Sequence, residues 1–334
     1  MKHVAALAGV GIKTVSRVVN GEPNVSEETA ARVWSAVRAL DYHVDLQASS
    51  MRRAGGRTDT LGLLVSSVDN PFAAAITRAV EDVALTRDVA VFASSLDDDA
   101  AREELAVEAF LRRRVDGLIL TTMSRSLSYL RPTLERGTPV VCIDREPLAA
   151  DVDVVVSDNR EGAASATRHL IAGGHRRIAL IADRPDIQTA VDRRDGFLEA
   201  LGGAGIPTLD IPVVMGVHDP ESAYDAVHAL LASENPPTAV VTAQNLITLG
   251  ALRALQEAGA RHTVALVGFD EVSMGDLLDP GVTVVRQDPQ SIGRIAAERV
   301  FARIDGDESA SQRHVVGTEL VIRGSGEIRP RDSR

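Results

Sequence analysis

Several things are scarce in this chain of 334 residues, and each scarcity narrows what it can be. There is one cysteine, Cys142, so no intrachain disulfide can form, and its place in the apolar run PVVCID makes it a packed strand thiol rather than a nucleophile. Aromatic residues amount to 3%, and the lone tryptophan, Trp34, reads as part of a small helical core. No apolar run approaches the roughly 18 residues that would span a bilayer. No positively charged start precedes a short apolar stretch, so no secretory signal is expected and the chain reads as cytoplasmic. Gly-x-Ser-x-Gly, His-Glu-x-x-His, paired cysteines and a spaced nucleophile–base pair are all missing, which leaves no catalytic, cofactor or metal site to nominate.

What is present is a hydrophobic content of 45%, enough to bury one large or two medium cores with a small domain appended. The net charge of −11 argues against nucleic acid as a partner, but its distribution argues the other way. Residues 1–58 carry eight basic side chains against five acidic ones, and the rest of the chain is strongly acidic. A basic head on an acidic body is the pattern expected when only the head meets a polyanion.

The head opens with MKHVAALA, helical by composition, followed by GVGIKTVSRVVNG. The glycines of GVGIKT fit no phosphate loop: a dinucleotide fingerprint needs glycine where Thr14 stands, and a P-loop needs four residues between its first glycine and the Gly-Lys-Thr. Gly9 instead suits a left-handed helix terminus, with a second helix over about Ile12 to Val19. Val4, Val10, Val15 and Val18 are spaced to pack the two helices together as a helix-turn-helix. Ser26 is a credible cap for a third helix, with Glu27 and Glu28 at its positive end and Ala30, Val33, Trp34, Val37 and Leu40 as its apolar face.

The runs VAALAGVGIKTVSRVVNG and VSEETAARVWSAVRALDYHV resemble the DNA-binding head of the lactose- and purine-repressor (LacI/GalR) family, whose TVSRVLN signature is highly specific. The resemblance extends over nearly the full chain. It implies that Ile12 and Lys13 select the operator in the major groove, that Arg17 contacts a base, and that Thr14, Ser16 and Asn20 hold phosphates. These roles suit the chemistry: lysine and arginine donate to guanine, hydroxyls and amides donate to phosphate, and isoleucine offers an apolar contact to a thymine methyl. Gly11 stands where the family often has a capping serine, and Asp45 replaces a phosphate-binding amide. Residues 46–58, LQASSMRRAGGRT, read alone as a linker; the resemblance makes them a hinge helix with Ala48 and Met51 at the minor groove, methionine replacing the usual leucine wedge.

From Leu61 onward short apolar runs alternate with amphipathic stretches: LGLLV, VAVFA, GLILT, PVVCI, VVVS, IALIA, PVVM, AVVT and VALVGF. Continuous apolar strands separated by helices mean parallel sheets covered on both faces. About nine strands exceed one comfortable sheet, so the expected fold is an all-α helix-turn-helix head on an α/β core of two doubly wound parallel-sheet lobes. The late runs TVVRQ and TELVIR are expected to cross between them. The corresponding division is a head at 1–45, a hinge at 46–58 and a core at 59–334, with lobe 1 at about 59–157 and 287–316 and lobe 2 at about 158–286 and 317–330.

Open α/β sheets bind ligands beyond the carboxyl ends of their strands. Asn70, Phe72, Asp144, Arg145, Arg193, Gln244, Asp270 and Gln287 cluster at such positions. Their two aspartates and two arginines balance, which suits an uncharged polyol whose hydroxyls both donate and accept. The core resembles periplasmic sugar-binding proteins of the ribose type, so the implied effector is a monosaccharide. Each residue also has an ordinary reading: Asp144–Arg145 as an ion pair, Phe72 as core, Asp270 as a helix cap, and His175 as a loop anchor.

Together these readings imply a ligand-responsive transcriptional regulator, a repressor acting as a homodimer on a near-palindromic operator, since one short recognition helix reads too few base pairs alone. The tail RGSGEIRPRDSR has no heptad repeat, so no tetramerising coil is expected. The alternative is a sugar-binding module for transport or chemoreception; the basic head speaks against it.

Overall fold

The computed structural model describes residues 1–19, 23, 25–42, 57–124, 126–147 and 151–330. The chain divides into two compact units, Met1–Asp59 and Thr60–Arg334.

The first unit is helical: α1 (Lys2–Ala8), α2 (Ile12–Val19) and α3 (Glu27–Ala39). Gly9 ends α1 in the left-handed region at φ 65°, and its N–H returns to the carbonyls of Ala5 and Ala6. Ser26 caps α3 by accepting from the Thr29 amide. Val4, Ala5, Ala8, Val15, Val18, Val33, Ala36 and Val37 form the core between the three helices. Trp34 is a correction: it is 39% exposed and lies outside that core. The inward stripe of α3 is centred on Val33, Ala36 and Val37, and at about 100° per residue Trp34 falls a quarter-turn beyond it. Leu40, also expected inside, is the helix C-cap and is exposed.

The second unit contains two six-stranded sheets. The first, in the order β11-β5-β4-β3-β1-β2, holds β1 (Thr60–Val65), β2 (Ala90–Ser95), β3 (Gly117–Leu120), β4 (Val140–Ile143), β5 (Asp153–Ser157) and β11 (Arg313–Val316), all parallel. The second, in the order β12-β10-β9-β8-β6-β7, holds β6 (Ile178–Ile181), β7 (Val213–Val214), β8 (Ala239–Thr242), β9 (Ala265–Phe269), β10 (Thr283–Arg286) and β12 (Glu319–Val321), parallel but for the β10–β12 edge. β1, β3, β4, β5, β6, β8 and β9 are apolar and almost wholly buried, as strands covered on both faces must be. Cys142 sits fully buried in β4.

The runs TVVRQ and TELVIR do not themselves cross: β10 and β12 both lie in the second sheet, and β11, which the apolar pattern did not single out, lies in the first. The chain changes sheet in three short links, after β5, after β10 and after β11. β11 escapes a hydrophobicity reading because it is an edge strand of alternating exposure, RHVV.

The helices are α4 (Pro71–Leu85), α5 (Ala100–Arg112), α6 (Arg131–Glu135), α7 (Asn159–Ala172), α8 (Gln188–Gly203), α9 (Pro220–Leu231), α10 (Asn245–Glu257) and α11 (Pro289–Ile304). Aspartates cap α5, α7, α9 and α11 through their side chains, supplying an acceptor for amides that have no partner in the first turn. Three glycines let helices touch backbone to backbone. A methyl group on Gly196 of α8 would lie 2.0 Å from the Arg160 carbonyl of α7, one on Gly250 of α10 would lie 2.2 Å from Pro220, and one on Gly293 of α11 would lie 2.6 Å from Ile76 of α4. No helix among the described residues is long and apolar enough to cross a membrane.

Candidate functional site

In the head, α2 buries Val15 and Val18 and turns Ile12, Lys13 and Arg17 outward, with Thr14 and Ser16 half-buried at its flanks. Burial of the valines against α1 and α3 therefore forces the cationic and polar side chains to the opposite surface, the arrangement a groove-reading helix needs. Asn20, Ala48 and Met51 lie outside the described residues, as does Asp45.

In the core, all eight residues singled out by their place at strand ends line one cavity of about 350 Å³ between the two sheets. They come from six separate stretches of the chain, between Asn70 after β1 and Gln287 after β10, and only the folded topology gathers them. A larger cavity of about 550 Å³ lies between α7 and α8, lined by surface residues such as Arg160, Arg168 and Glu199, and holds none of this convergent chemistry.

Asn70 caps α4, its side-chain oxygen accepting from the Phe72 amide at 3.0 Å. Phe72 combines both of its readings: it packs on the first core cluster and lines the cavity. Arg193, buried on α8, donates from Nε to Asn159 at 2.8 Å and from Nη1 to the Ala243 carbonyl at 2.7 Å, with its guanidinium 3.7 Å above the Phe269 ring. Burial lowers its basicity, against the pull of Asp270 and Asp144. Asp270 does not cap a helix; it accepts from Gln287 at 2.6 Å. Burial pushes the carboxyls of Asp144 and Asp270 above the usual range, opposed chiefly by Arg145 and Arg193 at Asp144 and by Arg193 and the Gln287 bond at Asp270. Both aspartates adopt the left-handed backbone region, at φ 65° and 70°, which turns a strand-end side chain into the cleft.

Arg145 stands 3.7 Å from Asp144, but its closer partner is Asp98, at 2.5 Å. Asp98, Asp183 and His218 also line the cavity and were not nominated from sequence. Asp183 accepts from Gln244 at 3.0 Å and contacts His218 Nδ1 at 2.8 Å, while His218 Nε2 faces Asp98 at 3.6 Å. The strand-end rule could have found both aspartates, since Asp98 follows β2 and Asp183 follows β6. With them the cavity wall has three buried aspartates and the part-buried Asp144 to two arginines, so the balance of the original four does not describe the whole site.

His175 is the loop anchor its setting suggested: fully buried, its ring nitrogens lie 2.9 Å from the Thr238 hydroxyl and 2.8 Å from the Ile328 carbonyl. Burial lowers its pKa.

Residues 1–45 match the family model of bacterial regulatory proteins of the lacI family, and residues 58–322 match that of periplasmic binding proteins and the sugar binding domain of the LacI family. The chain is 30% identical to the HTH-type transcriptional repressor PurR of Mannheimia succiniciproducens, over 97% of this chain and 98% of that one. It is 31% identical to the ribose operon repressor of Escherichia coli K12, over 97% and 99%. Its fold matches the Lac repressor dimer bound to operator and an anti-inducer with a TM-score of 0.85 at 25% identity, over 97% of both chains. With two models covering head and core, and relatives aligned nearly end to end, the protein belongs to the lacI family of bacterial regulatory proteins and is a DNA-binding transcriptional regulator.

Proposed function

We propose that the protein is a homodimeric, cytoplasmic repressor without catalytic activity, whose operator affinity is set by a monosaccharide-sized polyol bound between its two lobes. Residues 1–45 form the DNA-reading head, 46–58 the hinge and 59–334 the effector core. Ile12, Lys13 and Arg17 read base edges, Thr14, Ser16 and Asn20 hold phosphates, and Ala48 and Met51 meet the minor groove. The relatives named as repressors of a ribose operon and as PurR support regulation by repression. The observation that carries the effector reading is the convergence of eight polar and aromatic residues, from six stretches of the chain, on one cavity of about 350 Å³. A ligand that prefers one arrangement of the lobes shifts the DNA-bound population toward it.

Two measurements test this. Thermal-shift screening of the full chain against pentoses, hexoses and nucleosides should yield a stabilising polyol, whereas stabilisation by phosphorylated compounds alone would rule the polyol out. Arg17→Ala should weaken specific operator binding by about tenfold or more, the cost of one good base contact, while leaving effector affinity intact. Loss of both together would mean that head and core are wrongly assigned.

A further inference from the structure

The cavity contains a carboxylate, Asp183, on which the charges of Arg193 and Arg184 act from a distance but which is bonded to neither guanidinium. Arg193 is committed to Asn159, to the Ala243 carbonyl and to the Phe269 ring. Arg145 is held by Asp98 and Asp144, and Arg184 turns its guanidinium to Asp186, with Nη2 also on the Asp98 carbonyl. Asp183, whose side chain is only 8% exposed, is left with the Arg184 backbone amide, the Gln244 amide and the His218 ring. Of these only the imidazole can bring positive charge, and its side chain is 40% exposed at the edge of the cleft. A buried carboxylate needs a counter-charge once the cleft closes over it.

A second observation concerns hydrogen-bond sense. Gln287, 5% exposed, and Gln244 both spend their amide N–H groups on aspartates, and the carbonyl oxygen of each is occluded with no partner. Both side chains line the cavity, so a small turn of either amide offers its unpartnered oxygen to an O–H or N–H donor there. The wall is therefore rich in acceptors and negative charge, with its cations already spoken for.

We infer that the effector is a polyol bearing a protonated amine: Asp183, with Asp98 across the cleft, takes the ammonium in the place where His218 now stands, and Gln244 and Gln287 accept from its other donors. This rests on the sugar reading of the cleft and shifts the charge of the expected ligand from zero to positive. The raised pKa of His218, due first to the hydrogen bond it donates to Asp183, shows that the position already favours a cation.

The test is calorimetric titration of the full chain at neutral pH with matched sugars: glucose, glucosamine and N-acetylglucosamine, and the same triads in the galactose and mannose series. In at least one series the free amine should bind ten-fold or more tighter than both the neutral sugar and the N-acetyl derivative, whose nitrogen carries no charge. Asp183→Asn should collapse that preference; the N-acetyl comparison needs no variant and stands even if the substitution unfolds the protein. A neutral sugar binding as tightly as its amine overturns the ammonium site and leaves the sugar reading in place. No binding by any sugar of the three series overturns the ammonium site as assigned; the sugar reading itself falls only if the pentoses and nucleosides of the thermal-shift screen fail as well.

Discussion

Asn70 and Asn245 face each other from the first turns of α4 and α10, one on each lobe, and their amides are reciprocally bonded, at 3.1 Å in one direction and 3.4 Å in the other. The pair closes one side of the cleft while each residue also accepts from the start of its own helix, at Phe72 and at Leu246. Asn245→Ala should remove the bridge and leave the Asn70 cap in place. One such bond is worth about 1 kcal/mol, so the closed arrangement should lose roughly fivefold in population. Small-angle scattering of the ligand-free core should register a larger radius of gyration; an unchanged radius would show that the amides do not hold the lobes together.

His218 contacts Asp183 on its own lobe and faces Asp98 on the other, and the charge of Arg184 opposes its own. Its folded pKa is raised, first by the Asp183 bond. The stabilisation is therefore complete below the ordinary histidine value of about 6.5 and is lost as the pH climbs through the raised value. Melting temperatures of the wild type and His218→Gln should differ most at the acid end of this range and converge in alkali. A gap that widens with pH would contradict the assignment.

Asp153, 1% exposed, binds Arg303 and Arg299 of α11 and accepts from the Gln312 amide ahead of β11. Burial alone would raise its carboxyl, but the Arg303 and Gln312 bonds and the charge of both arginines hold it below the usual range. Its contribution is present above the ordinary aspartate value of about 3.9 and disappears as the pH falls through the depressed one. Asp153→Asn should cost about 1–3 kcal/mol by taking the shared charge partner from two part-buried arginines, of which Arg299 keeps Asp307 at 3.0 Å. Urea denaturation at neutral pH measures it, and a loss below about 1 kcal/mol would mean that the arginines find other partners or water.

Gly196 sets how closely α8 approaches α7, and Arg193, one turn earlier on α8, reaches Asn159 at the start of α7 because of that approach. Gly196→Ala would force the helices apart, destabilising the core by roughly 1–3 kcal/mol as overpacking does. It should also weaken effector binding by displacing the guanidinium. Gly202→Ala, on the same helix with open space around the added methyl, is the control and should leave both intact. Equal effects of the two substitutions would refute a role for helix approach.

The parts legible from sequence are those governed by neighbours along the chain. Gly9 and Ser26 end and begin helices by local backbone chemistry, and buried parallel strands announce themselves as unbroken apolar runs. Strand-end positions identified eight residues of the cavity wall because an open parallel sheet always presents those ends at one edge. Trp34 was misplaced because a helical face can be drawn a quarter-turn too wide when only apolarity is counted, and β11 was passed over because an edge strand has no continuous apolar run.

Sequence by itself decided the modular plan, the helix-turn-helix and the two wound sheets, since each follows from periodicity and termination signals acting over a few residues. Only the tertiary structure decided how charge is shared in the cleft, because Asp98, Asp183 and His218 are brought face to face by strands and turns 35 to 120 residues apart. Electrostatic pairing depends on distance in space and on burial, and neither quantity is written in the order of the residues.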